Sequence, residues 1–301
     1  MAAKSLHLLL FLFISYNRIC LSQGTETIAS PDLHRYGMHH SYDVKEYKLD
    51  IDLYNSFKTP GSSGFRALEI ITLEIDSTLK FFDLNAVSRT IKVESVGLDG
   101  YSFQHSNDLL RIFLKKERKP GDVVKVRIIY QHKDVEDSAF YAYNGCVFTD
   151  NPAEGARKWF PCWDRPSDKA LTDFTFHVPR SVRLGSNGYL ADSIVVGDTL
   201  FYHWRSKYPM STYLMTFVAK TDFTINKSWW RFHSLIGDSV PVRFYHQPGE
   251  SMAQAEKLIA PLTDFYSDKF GVYPFEKIGF ATLNNLFPWG GMENQTMVSL
   301  M

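Results

Sequence analysis

The residues best suited to chemistry lie near the end of the chain, in Pro288-Trp289-Gly290-Gly291-Met292-Glu293-Asn294, where two glycines directly precede a glutamate. Glycines in or beside a strand let another backbone come close, and a peptide laid along such an edge exchanges main-chain hydrogen bonds with it. A carboxylate next to that edge can receive the free ammonium of a peptide's first residue through charge-assisted hydrogen bonds. On these residue types alone the segment reads rather as a tight glycine turn with a solvated glutamate, the commoner use of such a sequence.

Other chemistries lack their residues. None of the 10 histidines is followed by glutamate, and no two are separated by three residues. The His-Glu-x-x-His helix that would place two imidazoles on one face beside a general base is therefore missing, and no metal ligand is assigned within the chain. There is no Gly-x-Ser-x-Gly elbow and no phosphate-cradling glycine loop. Cys162 has no recognisable histidine partner and reads as a small buried hydrophobe. No catalytic residue is assigned in this chain.

The elements that must position the glycine segment are mostly strands. Tyr47, Leu49, Ile51 and Leu53 alternate with Lys48, Asp50 and Asp52, and a period of two marks a half-buried strand. Phe65 to Ile75, Val123 to Tyr130, Leu171 to Val178 and Thr212 to Ala219 repeat the pattern, with turns at Pro60-Gly61, Asp99-Gly100, Pro120-Gly121, Asn187-Gly188 and Gly197-Asp198. Many short strands at this spacing predict a sandwich-like β domain up to about Phe223. Beyond residue 240 the pattern becomes a strand, Val242 to Tyr245, followed by an amphipathic helix through Met252, Ala255, Ile259, Leu262, Tyr266 and Phe270. Pro261 removes one backbone donor inside that helix and predicts a kink or a break, while Gly271 is a stop signal. A further strand, Ile278 to Leu283, makes this second part α/β, and no linker separates it from the first.

Gly290 to Asn294 closely resembles the Gly-Ala-Met-Glu-Asn exopeptidase motif of the M1 (gluzincin) zinc aminopeptidases, with Gly291 in the alanine position. Three more stretches are similar to motifs of that family and come in the same order. Ala156-Arg157-Lys158-Trp159-Phe160-Pro161-Cys162-Trp163-Asp164-Arg165-Pro166 resembles its Ala-Arg-x-x-Phe-Pro-Cys-x-Asp-x-Pro signature. Pro209 to Leu214 resembles its Pro-Met-Ser-Thr-Tyr-Leu segment, and Phe270 to Lys277 its helix exit. The resemblance implies a saddle-like N-terminal β-sandwich domain over 35–224 and, over 225–301, the first α/β part of a thermolysin-like catalytic domain.

It further implies that Glu293 anchors the substrate amine and that Gly290 and Gly291 offer backbone groups to it, with Met292 and Asn294 completing the substrate-binding motif. Many members carry a glutamine before the Ala-Arg signature, where this chain has Thr149-Asp150-Asn151-Pro152. Asp150 stands in that position as a second substrate contact, or else Asp150 and Asn151 only make a turn before Pro152. The expected partner is a peptide. The expected cofactor of the full-length enzyme is zinc, whose ligands in the family follow the glycine motif and are missing from this chain, so that the chain alone is expected to be inactive. The alternative is a non-catalytic peptide-binding or interaction protein with an M1-type β domain. An exported β-sandwich adhesin or glycan binder fits the strands but leaves four ordered motifs unexplained.

Composition narrows the setting. Lysine plus arginine and aspartate plus glutamate both total 33 with no long run of either sign, which argues against nucleic acid as a partner. Lys4, the apolar stretch from Leu6 to Ile14 and the small residues before Gln23 read as a signal peptide over 1–22, hence an exported protein. That stretch is far short of the roughly 20 apolar residues needed to cross a membrane. Cleavage would leave Cys146 and Cys162, enough for one bridge but no disulfide framework.

Overall fold

One-sided burial organises the chain from Tyr42 onward. In the strand Tyr42–Asp52, Tyr47, Leu49 and Ile51 are buried while Lys48 and Asp52 are exposed, the alternation that a pleated strand imposes. The computed structural model describes residues 40–59, 61–97, 101–232, 239–283 and 286–301. The expected leader over 1–22 and the Asp99-Gly100 turn lie outside the described residues.

Tyr42–Asp52 sits inside a seven-stranded sheet. Its spatial order is Tyr189–Val196, Thr199–Arg205, Leu171–Pro179, Tyr42–Asp52, Phe65–Ile75, Val123–His132 and Ile91–Val96. A three-stranded sheet (Leu79–Asn85, Leu109–Arg118, Ser102–Ser106) and a four-stranded one (Arg183–Ser186, Phe217–Lys220, Cys146–Thr149, Phe140–Tyr143) accompany it. All three bury side chains in one core: Leu49 and Ile128 from the first sheet, Leu84 and Ile112 from the second, Phe140 and Phe217 from the third. Trp159, Phe160 and Cys162, from irregular chain, fill the same core. Cys146 belongs to a separate cluster with Phe148, Tyr245 and Phe287, and both cysteines are free thiols. The fold is mainly β, as the alternation implies.

A five-stranded sheet follows, in the order Thr224–Trp230, Val240–His246, Ile278–Thr282, Val298–Leu300 and Gly291–Met292. Its three central strands are parallel, which requires crossover connections. The helix Ala253–Phe270 is the first of these. It runs unbroken through Pro261, so the break expected there does not occur. Proline's fixed φ is compatible with helix, so the helix continues past the lost backbone bond and the crowding of the ring against the preceding turn. Gly271 ends the helix at φ +100°, its N–H returning to Ser267 O at 3.0 Å. The outer stripe is less covered than its periodicity suggests: Leu262, Tyr266 and Phe270 are 42%, 54% and 82% exposed. Among the described residues no helix is long and apolar enough to cross a membrane.

Two expectations from the pattern change. Thr212–Leu214 is a turn of 3-10 helix, and the strand is Phe217–Lys220. Side-chain bonds pull the earlier residues out of the ladder, since Ser211 donates to Pro166 O at 2.6 Å and Thr212 to Asp164 Oδ1 at 2.6 Å. The strand Thr224–Trp230, antiparallel to Val240–His246, escapes a periodicity reading because most of its residues are exposed on both faces.

The two parts of the chain are tied by Asn187. Its Nδ2 donates to Leu214 O at 2.9 Å and to Gln295 O at 2.6 Å, and its Oδ1 accepts from Thr216 N at 2.5 Å. Gly188 follows at φ +74°, where a Cβ would lie 2.0 Å from Arg205 O, so only glycine fits. Its N–H donates to Thr296 Oγ1 at 2.6 Å. Asn187→Ala strands two carbonyls and one buried N–H, and should lower stability by roughly 2–4 kcal/mol. Urea unfolding reads this as a lower midpoint at unchanged m-value, and a loss under about 0.5 kcal/mol, the size of an ordinary surface substitution, would show that the knot carries no stability.

Candidate functional site

Gly291–Met292 is the edge strand of the five-stranded sheet. One side pairs antiparallel with Val298–Leu300, Gly291 opposite Leu300 and Met292 opposite Ser299; the other side has no strand beside it among the described residues. The edge is held at both ends, by Met301 N donating to Gly290 O at 3.3 Å and Met297 N to Asn294 O at 3.1 Å. Neither Gly290 nor Gly291 has the positive φ of a tight glycine turn. A Cβ at Gly290 would meet nothing within 4 Å, and one at Gly291 would make ordinary contacts of 3.5 Å with Leu300 and Ser299. Backbone conformation and crowding therefore do not demand glycine here, and what the pair provides is open space along the edge.

The expected site residues fall into two groups. Glu293 is exposed, and among the described residues no hydrogen bond or ion pair holds its carboxylate, so it is available to a ligand. Gly290 and Gly291 are exposed beside it. Met292 packs against the cluster of Phe148, Phe287 and Met297. Asn294 is buried, its Oδ1 accepting from Ser299 at 3.2 Å and its Nδ2 making a long 3.5 Å contact to Leu214 O. Those two side chains set the strand in place.

Asp150 is brought to the same segment from far away in sequence. It follows Cys146–Thr149 and is 2% exposed, and its Oδ2 accepts from Trp289 Nε1 at 3.0 Å while Oδ1 has no partner among the described residues. Burial pushes its carboxyl up to about 6, partly offset by the indole N–H. Asn151 turns inward, donating to Met215 O at 2.5 Å and accepting from Trp159 Nε1 at 2.9 Å. The turn itself starts one residue later, with Gly155 N bonded to Pro152 O at 2.8 Å.

Trp289 is the residue that sequence reasoning passed over. It lies directly before the glycines, and its indole joins them to Asp150; an aromatic with a polar handle beside a glycine pair was the available signal. The Ala156–Pro166 stretch turns out to be structural. Asp164 accepts from Arg157 Nε at 3.0 Å and from Thr212 at 2.6 Å, and its own N–H donates to Asn85 Oδ1 at 3.1 Å. Among the described residues no three histidine, cysteine, aspartate or glutamate side chains converge as a metal ion needs.

Comparison with known proteins places this architecture. The chain is 25% identical over 253 residues to aminopeptidase M1-C of Oryza sativa subsp. japonica, which covers 76% of the chain and 27% of that relative. It is 26% identical over 249 residues to aminopeptidase M1 of Arabidopsis thaliana, covering 81% and 25% respectively. The chain thus spans about a quarter of the length of the curated relatives it matches. An M1 zinc metallopeptidase from Deinococcus radiodurans superposes with a TM-score of 0.76 at 18% identity, over 87% of this chain and 60% of the other. At that identity it shows the shared fold. A mutant of that metallopeptidase has been solved bound to a Tyr-Ser-Ala substrate, with a TM-score of 0.75. The peptidase M1 N-terminal domain matches residues 43–214. Since this is more than half of its 301 residues, the chain belongs to the M1 peptidase family.

Proposed function

We propose that this chain supplies the amine-recognition part of a zinc-dependent aminopeptidase that removes N-terminal residues from peptides. The observation that carries this reading is the free edge Gly291–Met292, with the uncommitted carboxylate of Glu293 next to it. A peptide extended along that edge gains main-chain hydrogen bonds, and its α-ammonium meets Glu293 at the point where the edge ends. A ligand held by its free amine is held at a fixed distance from its first peptide bond, which explains removal of single residues. The peptide-bound relative supports the same class of ligand.

The zinc of the metallopeptidase relatives has no fitting ligand set among the described residues, so the proposal concerns binding by this chain's own groups. It assigns 1–22 to an export leader, 35–224 to the N-terminal β domain and 225–301 to the opening part of the catalytic domain. Asp150 is the second contact: an ammonium arriving near its unpartnered Oδ1 favours the ionised carboxylate that burial otherwise disfavours.

Titration calorimetry with a short peptide, free or acetylated at its N-terminus, tests the anchor. The free amine should bind about tenfold more tightly, the worth of one charge-assisted hydrogen bond, and Glu293→Gln should erase the difference. A preference surviving that substitution removes Glu293 from the role.

Asp150 has its own signature in stability. Its folded carboxyl titrates near 6 against an ordinary 3.8, so the folded state holds its proton longer and stability falls as pH rises between those values. Asp150→Asn keeps an acceptor for Trp289 without the buried charge. It should be more stable than the wild type by ~1–3 kcal/mol at about pH 8, with the gap closing below about pH 4. Parallel urea titrations at the two pH values check it, and a gap independent of pH would mean that Asp150 is solvated.

A further inference from the structure

A cavity of about 530 Å³ opens between the β strands Arg183–Ser186 and Thr199–Arg205 on one side and Thr224–Trp230 and Val240–His246 on the other. It shares no lining residue with the Pro288–Asn294 segment. Four cationic side chains line it, Arg183, Lys227, Arg243 and Lys277, and among the described residues no aspartate or glutamate does.

The donors here are poorly matched. Lys277 is 2% exposed, and its ammonium donates to Ser186 O and sits 4.3 Å from the centre of the Trp204 ring. Burial drives its pKa down to about 7. Arg243 donates through Nη1 to Ser228 O at 3.1 Å and Val242 O at 2.8 Å and lies over the Trp229 ring at 5.2 Å, and burial lowers its pKa too. Trp204 is 3% exposed, and its indole N–H has no acceptor among the described residues. Buried donors and desolvated cations are costly without acceptors and counter-charge. Water can offer acceptors but no negative charge. Much of the remaining wall is aromatic or aliphatic, with Tyr202 and Trp229 beside Trp204 and Leu184, Ile225 and Pro241 among the rest, which suits a flat apolar body.

We propose that this cavity binds a small oxyanion, carboxylate or phosphate, carried on an aromatic or apolar body. The oxyanion accepts from the Trp204 indole and the Arg243 guanidinium and brings negative charge into a cavity whose own lining has cations only, while the ring stacks on the tryptophan wall.

Trp204 and Trp229 make tryptophan fluorescence the direct readout. The full chain is titrated with phenyl phosphate, with phenylacetate, and with benzylamine, which keeps the ring and reverses the charge. At least one anion should bind saturably and benzylamine should not. Arg243→Gln should weaken the anion about tenfold. Lys227→Glu, on an exposed position and so tolerated by the fold, should do the same, whereas Glu293→Gln should leave binding unchanged. Failure of both anions to bind, equal binding of benzylamine, or unchanged affinity in Lys227→Glu would each overturn the proposal.

Discussion

Peptide groups buried outside regular sheets must still find hydrogen-bond partners, and in this protein one asparagine meets that need for three groups on two separate segments. Asn187 holds the carbonyl of Leu214, the carbonyl of Gln295 and the N–H of Thr216. The 3-10 turn of the β part and the loop leading out of the glycine edge are thereby fixed to a common point. The position of Glu293 relative to the β core follows from that point, because Asn294 and Gln295 follow it directly. Asp164 plays the corresponding part deeper in the core, joining Arg157, Thr212 and Asn85. Buried polar networks of this kind specify one arrangement when every member is satisfied.

This explains why the family motifs differ so much in what they do. The aromatic and proline-rich stretch over 156–166 has the residue types of a reactive site, including a cysteine, yet Cys162 is wholly buried and burial pushes its thiol well up. Its conspicuous residues are those of a core that irregular chain must fill. The glycine segment has modest residue types and lies at an open edge with a free carboxylate. Exposure and hydrogen-bond commitment separate the two more sharply than composition does.

Much of the architecture was legible because burial on one face leaves a period of two, as in Tyr42–Asp52 and Phe65–Ile75. Where that cause is absent the signal is absent. Thr224–Trp230 is a strand with little burial, and Thr212–Leu214 alternates but is claimed by side-chain bonds to Asp164 and Pro166. The candidate site was half legible: the glycines and Glu293 are adjacent in sequence and announce an edge. The pairing of Asp150 with Trp289 spans 139 positions and depends on how two sheets meet, which local pattern does not encode. The cationic cavity is of the same kind, since its walls come from five separate strands.

The crossover helix Ala253–Phe270 has a dynamic consequence. Helices in proteins owe most of their stability to a packed face, and here Leu258, Leu262, Phe265, Tyr266 and Phe270 are all exposed. Among the contacts that hold the helix are Met252 and Ile259 against the Trp230 cluster, and side-chain bonds from Trp230 to Asp264, from Asn226 to Glu256 and from Tyr273 N to Ser267 Oγ. Its amide protons should therefore exchange with solvent through local opening sooner than those of the buried strands of the large sheet. The crossover can loosen while the parallel strands that it connects stay paired, so the glycine edge rests on a frame whose linking element is lightly packed on its outer face.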